Sequence, residues 1–126
     1  MHKSRLAAIV IDSRCDDLDG EAAFWSAALG WSVSSPSGEG AERYRDIDGP
    51  ADQPKVLLQK VDHESRVHLD IETDDIEAEV KRLEALGARR VAQIRRWWVM
   101  EAPSGQRFCV VPPQRPDFPQ GGQEWP

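Results

Sequence analysis

Apolar and polar positions follow a pattern that occurs twice along the chain. The first copy begins with the apolar run LAAIVID (6–12), which is typical of a β-strand. It continues into DDLDGEAAFWSAALG, where Leu18, Ala22 and Trp25 recur at helical spacing before Gly30, a residue that commonly ends helices. The runs WSVSS, RYRDID and KVLLQKV then predict three strands separated by loops rich in Gly, Pro and Ser. The first copy therefore predicts the order strand, helix, strand, strand, strand.

The second copy has the same order of elements. VHLDIE (67–72) predicts a strand, and DDIEAEVKRLEALG predicts a helix with Ile76 and Val80 on its apolar face. Asp74 or Asp75 stands where a helix N-cap is expected. ARRVAQI, RWWVMEA and QRFCVVP complete the copy as three further strands.

The two copies also agree in register. Gly30 and Gly87 both end a predicted helix, and the offset between the copies stays nearly constant along their length. Such agreement in order, turn residues and spacing is far less expected by chance than hydrophobic periodicity alone. We therefore predict helices near 17–29 and 75–86 in an α+β fold made of two βαβββ modules.

Composition and charge narrow the function classes. The 126 residues carry a net charge of −6, which argues against a nucleic-acid partner because such binding needs clustered Lys and Arg. No apolar run approaches the ~20 residues of a membrane span, and the N-terminus lacks the features of a signal peptide. The two cysteines, Cys15 and Cys109, do not form a disulfide framework, which favours reduced thiols and a cytoplasmic location.

Four stretches together resemble the vicinal oxygen chelate superfamily, which includes glyoxalase I, extradiol dioxygenases and bleomycin-resistance proteins. They are LAAIVID…AAFWSAALGW, YRDIDG, VHLDIETDDIEAEVKRLEALGA and SGQRFCVVP, and they resemble the bacterial glyoxalase-like domain in particular. The resemblance implies one domain, 1–113, made of modules 5–62 and 66–113. It also implies curled mixed sheets around a cavity, with the helices on the convex side. Residues 114–126 form a tail rich in Pro, Gln and Gly that we expect to be irregular.

Strand phase divides the segment VHLDIE into two faces, because side chains alternate along a strand. The apolar set, which we expect to face the helix as part of the core, is Val67, Leu69 and Ile71. The polar set, which we expect to face the cavity, is His68, Asp70 and Glu72. In the first copy the position of His68 is taken by Ala8.

The resemblance implies four metal positions on the first and last strands of the modules. They carry over to Ala8, Gln59, His68 and Cys109. Ala8 has no ligand atom and Gln59 offers only a neutral oxygen, whereas such a site usually includes a carboxylate. Asp70 and Glu72 are alternative donors, but they lie farther along the strand. The sequence therefore favours a site without a catalytic metal or other cofactor, with His68 as a hydrogen-bonding residue, and leaves a divalent metal as the alternative.

Adjacent residues on a strand point to opposite faces, so Trp97 and Trp98 are expected to have different environments. One ring is expected in the core, and the other could stack on a ligand or contact a second subunit. The predicted ligand-binding residues are His68, Gln59, Cys109, Asp70 and Trp98. His2 and His63 stand in a terminal segment and a turn, where we expect them to be solvated.

Two classes of function remain open. The first is a metal-free protein that binds a small organic molecule, similar to bleomycin-resistance proteins. The second is an enzyme, such as a lyase, isomerase or dioxygenase, that uses a divalent metal or an acid–base pair of His68 and Asp70. The resemblance also implies a homodimer, since curled sheets leave edges and apolar surface to be covered. The sequence does not identify the ligand.

Overall fold

The computed structural model describes residues 1–126. These residues form two compact units. The N-terminal unit is 8–67, and the C-terminal unit comprises 1–7 and 68–126. The order of elements confirms the predicted α+β fold of two βαβββ modules with mixed sheets. No helix in the chain combines the length and the apolar character that a membrane span requires.

The N-terminal unit contains the first module. Its elements are β1 (His2–Ser13, whose first residues belong to the other unit), α1 (Leu18–Leu29), β2 (Ser32–Ser34), a single 3-10 turn (Ala41–Arg43), β3 (Tyr44–Asp48) and β4 (Lys55–Lys60). The strand order is β2-β3-β4-β1, with β4 parallel to β1 and the other pairs antiparallel. This mixture of directions is what a βαβββ module requires, because its helix connects the first strand to the far edge of the sheet.

Helix α1 covers one face of this sheet. It begins after Asp17, whose side chain accepts a hydrogen bond from the Gly20 N–H, and it ends at Gly30 in a left-handed conformation with φ of 73°. The buried core beneath it consists of Leu18, Ala22, Ile47, Val56 and Leu58. Trp25 packs against this cluster, as its place on the apolar stripe predicts.

The C-terminal unit contains the second module and the tail. Its elements are β5 (Arg66–Thr73), α2 (Ile76–Ala85), β6 (Arg89–Ile94), β7 (Trp97–Glu101), β8 (Arg107–Val111), α3 (Phe118–Gly121) and β9 (Gln123–Trp125). The strand order is β5-β8-β7-β6, with β5 parallel to β8. The side chain of Asp75 caps α2 by accepting a hydrogen bond from the Ala78 N–H. The predicted helices are thus confirmed to within a residue at each end.

The expectation that β5 turns a buried apolar face toward a helix is wrong. Val67 is 60% exposed and Leu69 is 45% exposed. The reason is the position of α2, which packs across β6, β7 and β8 instead of β5. Val80 of α2 is fully buried in the core cluster of this unit. The Leu69 side of β5 is therefore left largely uncovered by α2.

The expectation that the tail is irregular is also wrong. Residues 118–121 form α3, with Phe118 buried, and β9 pairs antiparallel with the start of β1. Glu72, which is fully buried, accepts hydrogen bonds from the backbone N–H groups of Gln114 and Arg115 and from the guanidinium of Arg5. These bonds are charge-assisted and satisfy a buried carboxylate, so the tail is an integral part of this unit.

The expectation that His2 is solvated is wrong, because His2 is buried. His63 is exposed, as expected. The His2 side chain is only 7% exposed, and its Nε2 lies 2.8 Å from Oε1 of the fully buried Glu79. Arg82 makes two further bonds to the same carboxylate and places its guanidinium 3.8 Å from the ring centre of Trp125. The N-terminal residues, α2 and the tail are therefore joined by one buried network.

Candidate functional site

Three polar side chains meet on the helix-free face of the C-terminal unit. The parallel pairing of β5 with β8 places Asp70 directly beside Cys109. His68 precedes Asp70 by two residues and therefore points to the same face. The structure thus brings together His68, Asp70 and Cys109, all three of which are predicted site residues.

The three side chains approach closely enough to act on a single bound group. One potential ligand atom from each of them lies within 4.8 Å of the other two. Nε2 of His68 is 3.2 Å from Oδ1 of Asp70, and both side chains are 13% exposed. This Oδ1 atom is buried, yet it accepts no well-aligned hydrogen bond. A buried carboxylate oxygen in this state can be satisfied by an imidazolium, by a donor group of a ligand or by a cation.

The cluster has an apolar side and a charged side on the same face. Val99 of β7 pairs with Cys109, and Trp97, two residues away, shares its face. In the opposite direction along the strands, Glu101 forms ion pairs with Arg89 at 2.9 Å and with Arg107 at 3.2 Å. A ligand at the cluster would therefore contact apolar side chains toward the start of β7 and ion-paired side chains toward its end.

Trp98 lies on the opposite face, although the sequence analysis places it among the ligand-binding residues. It packs against the core cluster beneath α2, and the guanidinium of Arg90 lies 4.9 Å from its ring centre. Trp97, which is half-buried, is the ring that shares a face with Cys109. Strand parity contained this signal, because the face that carries Trp97 also carries the charged residue Glu101, whereas Trp98 shares its face with Met100.

Glu72 does not join the cluster as an alternative donor. Both of its carboxylate oxygens are engaged, one by Arg5 and the other by the backbone of the tail. Its position on the same face as His68 and Asp70 agrees with the sequence analysis. Its carboxylate, however, holds the tail and Arg5 in place and is not available to a ligand. Sequence alone could not show this, because its partners are distant along the chain.

The two predicted positions in the N-terminal unit have different surroundings. Ala8 is fully buried and presents only a methyl group. The amide nitrogen of Gln59 donates a hydrogen bond to the Tyr44 hydroxyl at 2.9 Å. On the neighbouring strand, burial raises the pKa of Asp46, and Asp48 acts in the same direction against the effect of Lys55. Asp46 stands at the centre of β3, on the same face as Tyr44. Sequence reasoning missed it, because only its burial distinguishes it from the nearby Asp48.

The four metal positions implied by the resemblance do not form a complete set of ligands. Ala8 has no donor atom, and Gln59 is engaged by Tyr44. The residues that could hold a metal ion are instead His68, Asp70 and Cys109, which offer nitrogen, oxygen and sulfur donors. Such a mixed set suits a borderline-soft cation such as Zn²⁺ better than a hard cation.

A separate cleft of about 420 Å³ lies between the tail and the start of β1. Its lining residues are Lys3, Asp74, Pro113, Arg115, Pro116, Phe118 and Pro119. Its polar groups already bond within the protein, since Lys3 Nζ donates to the Pro119 carbonyl and Asp74 accepts from the Lys3 N–H. This cleft therefore lacks the converging free donors and acceptors of a specific site.

Comparison with protein families gives one match that covers most of the chain. The family described as "Glyoxalase-like domain" matches residues 8–111. A comparison with curated proteins gave no significant match.

Three solved structures with the same fold illustrate the structural likeness, and each is distant in sequence. A hypothetical protein from Bacillus halodurans has a TM-score of 0.62 and 11% identity, over 88% of this chain and 96% of that chain. Methylmalonyl-CoA epimerase from Mycobacterium tuberculosis has a TM-score of 0.60 and 17% identity, over 86% and 88%. A Mn(II)-bound glyoxalase from Novosphingobium aromaticivorans has a TM-score of 0.58 and 17% identity, over 87% of this chain and 39% of that chain. At such identities the likeness shows the fold alone.

Proposed function

Since the chain belongs to the glyoxalase-like domain family of the vicinal oxygen chelate superfamily, we propose that it binds a small organic molecule. The binding surface is the helix-free face of the C-terminal unit, with His68 and Asp70 as polar anchors. The glyoxalase-like part of the chain is 1–113, and 114–126 is a C-terminal segment that packs into the same unit as the second module. We also propose a cytoplasmic location, where Cys109 stays a thiol. Under this proposal, binding of a small molecule without a catalytic metal is the property that the protein shares with bleomycin-resistance proteins.

One observation carries this proposal. The buried Oδ1 of Asp70 lies 3.2 Å from the His68 ring without a well-aligned hydrogen bond, and apolar residues of β7 adjoin it. Ligand sites typically combine an apolar surface with a few converging polar groups, which is the arrangement found here. The incomplete set of metal positions supports binding without the catalytic metal used elsewhere in the superfamily.

Metal analysis tests the metal-free part of the proposal. Protein purified without added metal is expected to contain no stoichiometric metal, and Zn²⁺, Ni²⁺, Mn²⁺ or Fe²⁺ is expected to leave its melting temperature unchanged. His68→Ala should reduce stability by about 1 kcal/mol or less, because water can replace a partly exposed imidazole. His63→Ala, at an exposed histidine, is the matched control. A stoichiometric metal that is lost in both His68→Ala and Cys109→Ser would overturn the metal-free proposal.

The second candidate function is catalysis at the same cluster. It is favoured by the separation of 3.2 Å between His68 and Asp70, which is close enough for the carboxylate to orient the imidazole as a general base. If a metal is bound, His68, Asp70 and Cys109 would hold it, and it would supply Lewis-acid stabilisation of charge on a substrate oxygen. A stoichiometric metal, or proton exchange from an organic acid that His68→Ala abolishes, would favour this candidate.

We also propose that the protein is a homodimer. Strand β5 exposes Val67 and Leu69 on the side of the strand opposite to His68 and Asp70. Contiguous exposed apolar residues commonly mark an interface between subunits. Sedimentation equilibrium at tens of micromolar protein is expected to give the dimer mass, and Leu69→Asp should shift the protein to the monomer. A wild-type monomer at that concentration would contradict the proposal.

A further inference from the structure

Cys109 has the surroundings of a nucleophilic thiol. It is half-buried on β8, directly beside Asp70 of β5, and His68 lies on the same face. The sulfur of Cys109, a ring nitrogen of His68 and a carboxylate oxygen of Asp70 all lie within 4.8 Å of one another. A thiol, an imidazole and a carboxylate in mutual reach form the set that thiol enzymes use, because an adjacent base activates the nucleophile and a third group orients the base.

The His68–Asp70 pair is placed to take the proton of this thiol. Oδ1 of Asp70 lies 3.2 Å from Nε2 of His68, so the carboxylate positions the ring and stabilises the imidazolium that forms when the ring takes a proton. Cys109 needs only a small movement to reach hydrogen-bond distance, and catalytic hydrogen bonds commonly shorten when a substrate binds. Loss of the proton matters because the thiolate is the nucleophilic form of cysteine.

The other cysteine of the chain provides a contrast. Cys15 is also half-buried, but it packs against the apolar core of the N-terminal unit. Burial and the carboxylate of Glu21 raise the pKa of the Cys15 thiol, which keeps it protonated. Cys15 therefore serves as an internal reference, a thiol of comparable exposure whose surroundings disfavour the thiolate.

The surface around Cys109 suits the apolar part of an organic molecule. Val99 pairs with Cys109, and the half-buried ring of Trp97 shares the face of Val99. An indole ring offers an aryl group a large contact area. The reactive thiol and the apolar contact surface therefore adjoin each other.

We infer that the ligand of this face is an α,β-unsaturated carbonyl compound and that the sulfur of Cys109 adds to its β-carbon. The inference rests on the proposed binding function and specifies its ligand class. In the addition, His68 takes the thiol proton while the sulfur forms a bond to the β-carbon. The π-bond between the α- and β-carbons breaks, its electron pair moves toward the carbonyl group, and the α-carbon then receives the proton from His68. The net change is addition of S–H across the double bond.

Addition fits the surroundings of Cys109 better than other reactions of a thiol. Disulfide formation would need an oxidant and a second thiol, and Cys15 belongs to the other unit. Acyl transfer would need a leaving group and N–H donors for an oxyanion. Strand β8 pairs with β5 on one side and with β7 on the other, so the backbone N–H groups near Cys109 are engaged in the sheet. Addition to an enone requires no leaving group and no oxidant.

Mass spectrometry of the protein treated with 4-phenyl-3-buten-2-one tests the inference. This aryl enone should modify Cys109 more than about tenfold faster than Cys15 in the native protein, because a neighbouring base raises the fraction of thiolate. In concentrated urea the two rates should become similar, since both environments are lost. Cys109→Ser should leave only the slow modification of Cys15.

Substitution of the base separates activation of the thiol from its exposure. His68→Ala should lower the rate at Cys109 about a hundredfold, the lower end of what a general base contributes, and leave the rate at Cys15 unchanged. Removal of the ring opens access to Cys109, so a lower rate would reflect lost activation. His68→Gln keeps a polar side chain that cannot take the proton and should have the same effect. Asp70→Asn should also slow Cys109, as expected of a positioning residue.

His63→Ala, at an exposed histidine, is the matched control and should change neither rate. Equal rates at Cys109 and Cys15 in the native protein would overturn the inference. An unchanged rate at Cys109 in both His68 variants would overturn it as well.

A saturated analogue separates failure of the inference from failure of the proposed function. 4-Phenyl-2-butanone has the same ring and carbonyl group but no double bond to which a thiol can add. It should bind reversibly and slow the modification of Cys109 by the enone, without affecting Cys15. Protection by this ketone, combined with equal native rates at the two cysteines, would overturn the inference and leave the proposed function standing. Equal rates without protection would overturn both.

Discussion

Glu79→Gln is expected to lower the free energy of unfolding by about 3–5 kcal/mol, the usual cost of removing one partner from a buried ion pair. Glu79 is fully buried, and its carboxylate accepts a hydrogen bond from His2 and two from Arg82, all at 2.7–2.8 Å. The amide preserves the shape of the side chain but removes its charge. It leaves the Arg82 guanidinium without its counter-charge and directs an N–H₂ group toward other donors. Urea unfolding measures the loss.

A matched control lies two residues away on the same helix. Glu77 is exposed and pairs with Arg90 at the surface, where solvent screens the interaction. Glu77→Gln makes the same chemical change and should reduce stability far less than Glu79→Gln. Equal losses in the two variants would show that the buried network does not stabilise the fold in the way described.

The same carboxylate makes stability depend on pH. Burial raises the pKa of Glu79, but hydrogen bonds from Arg82, His2 and Ser4 outweigh this effect and lower the pKa overall. A carboxyl group whose pKa is lower in the folded state stabilises the protein above its unfolded pKa. That contribution is lost as the pH falls through the folded pKa. The stability difference between the wild type and Glu79→Gln should therefore narrow below about pH 4.

Local periodicity explains why so much of the fold could be predicted. Helical spacing and alternation of side chains are properties of short segments, and they located both helices to within a residue. The proximity of His68 and Asp70 likewise follows from their spacing on one strand. Their proximity to Cys109 depends on the register of β5 against β8, which no local pattern contains. The resemblance to a known superfamily provided that long-range information.

Three of the wrong expectations concern partners that are distant along the chain. The exposure of Leu69 depends on where α2 crosses the sheet, and periodicity within β5 cannot determine that position. His2 is buried by Glu79, which stands 77 residues away. The tail is ordered by the carboxylate of Glu72, a residue that looked like a candidate for the site. A polar composition therefore indicates a solvated segment only where the fold provides no buried hydrogen-bonding partner for it.

Leu58→Ala is expected to lower the free energy of unfolding by about 2–5 kcal/mol, whereas Leu69→Ala should cost about 1 kcal/mol. Leu58 is fully buried in the core of the N-terminal unit, so its truncation leaves a cavity among close-packed neighbours. Leu69 is 45% exposed, so only part of its side chain loses contacts and water can occupy the space. Urea unfolding of both variants measures this difference.

Protein concentration determines how the result for Leu69→Ala is interpreted. If the proposed homodimer covers β5, the variant should lose stability mainly at concentrations where the wild type is dimeric, because association contributes to stability by mass action. In dilute protein, where the monomer prevails, its cost should remain well below that of Leu58→Ala. Equal and concentration-independent losses for the two variants would mean that Leu69 is buried within the monomer. The position of α2 across β6, β7 and β8, which leaves β5 uncovered, would then be wrong.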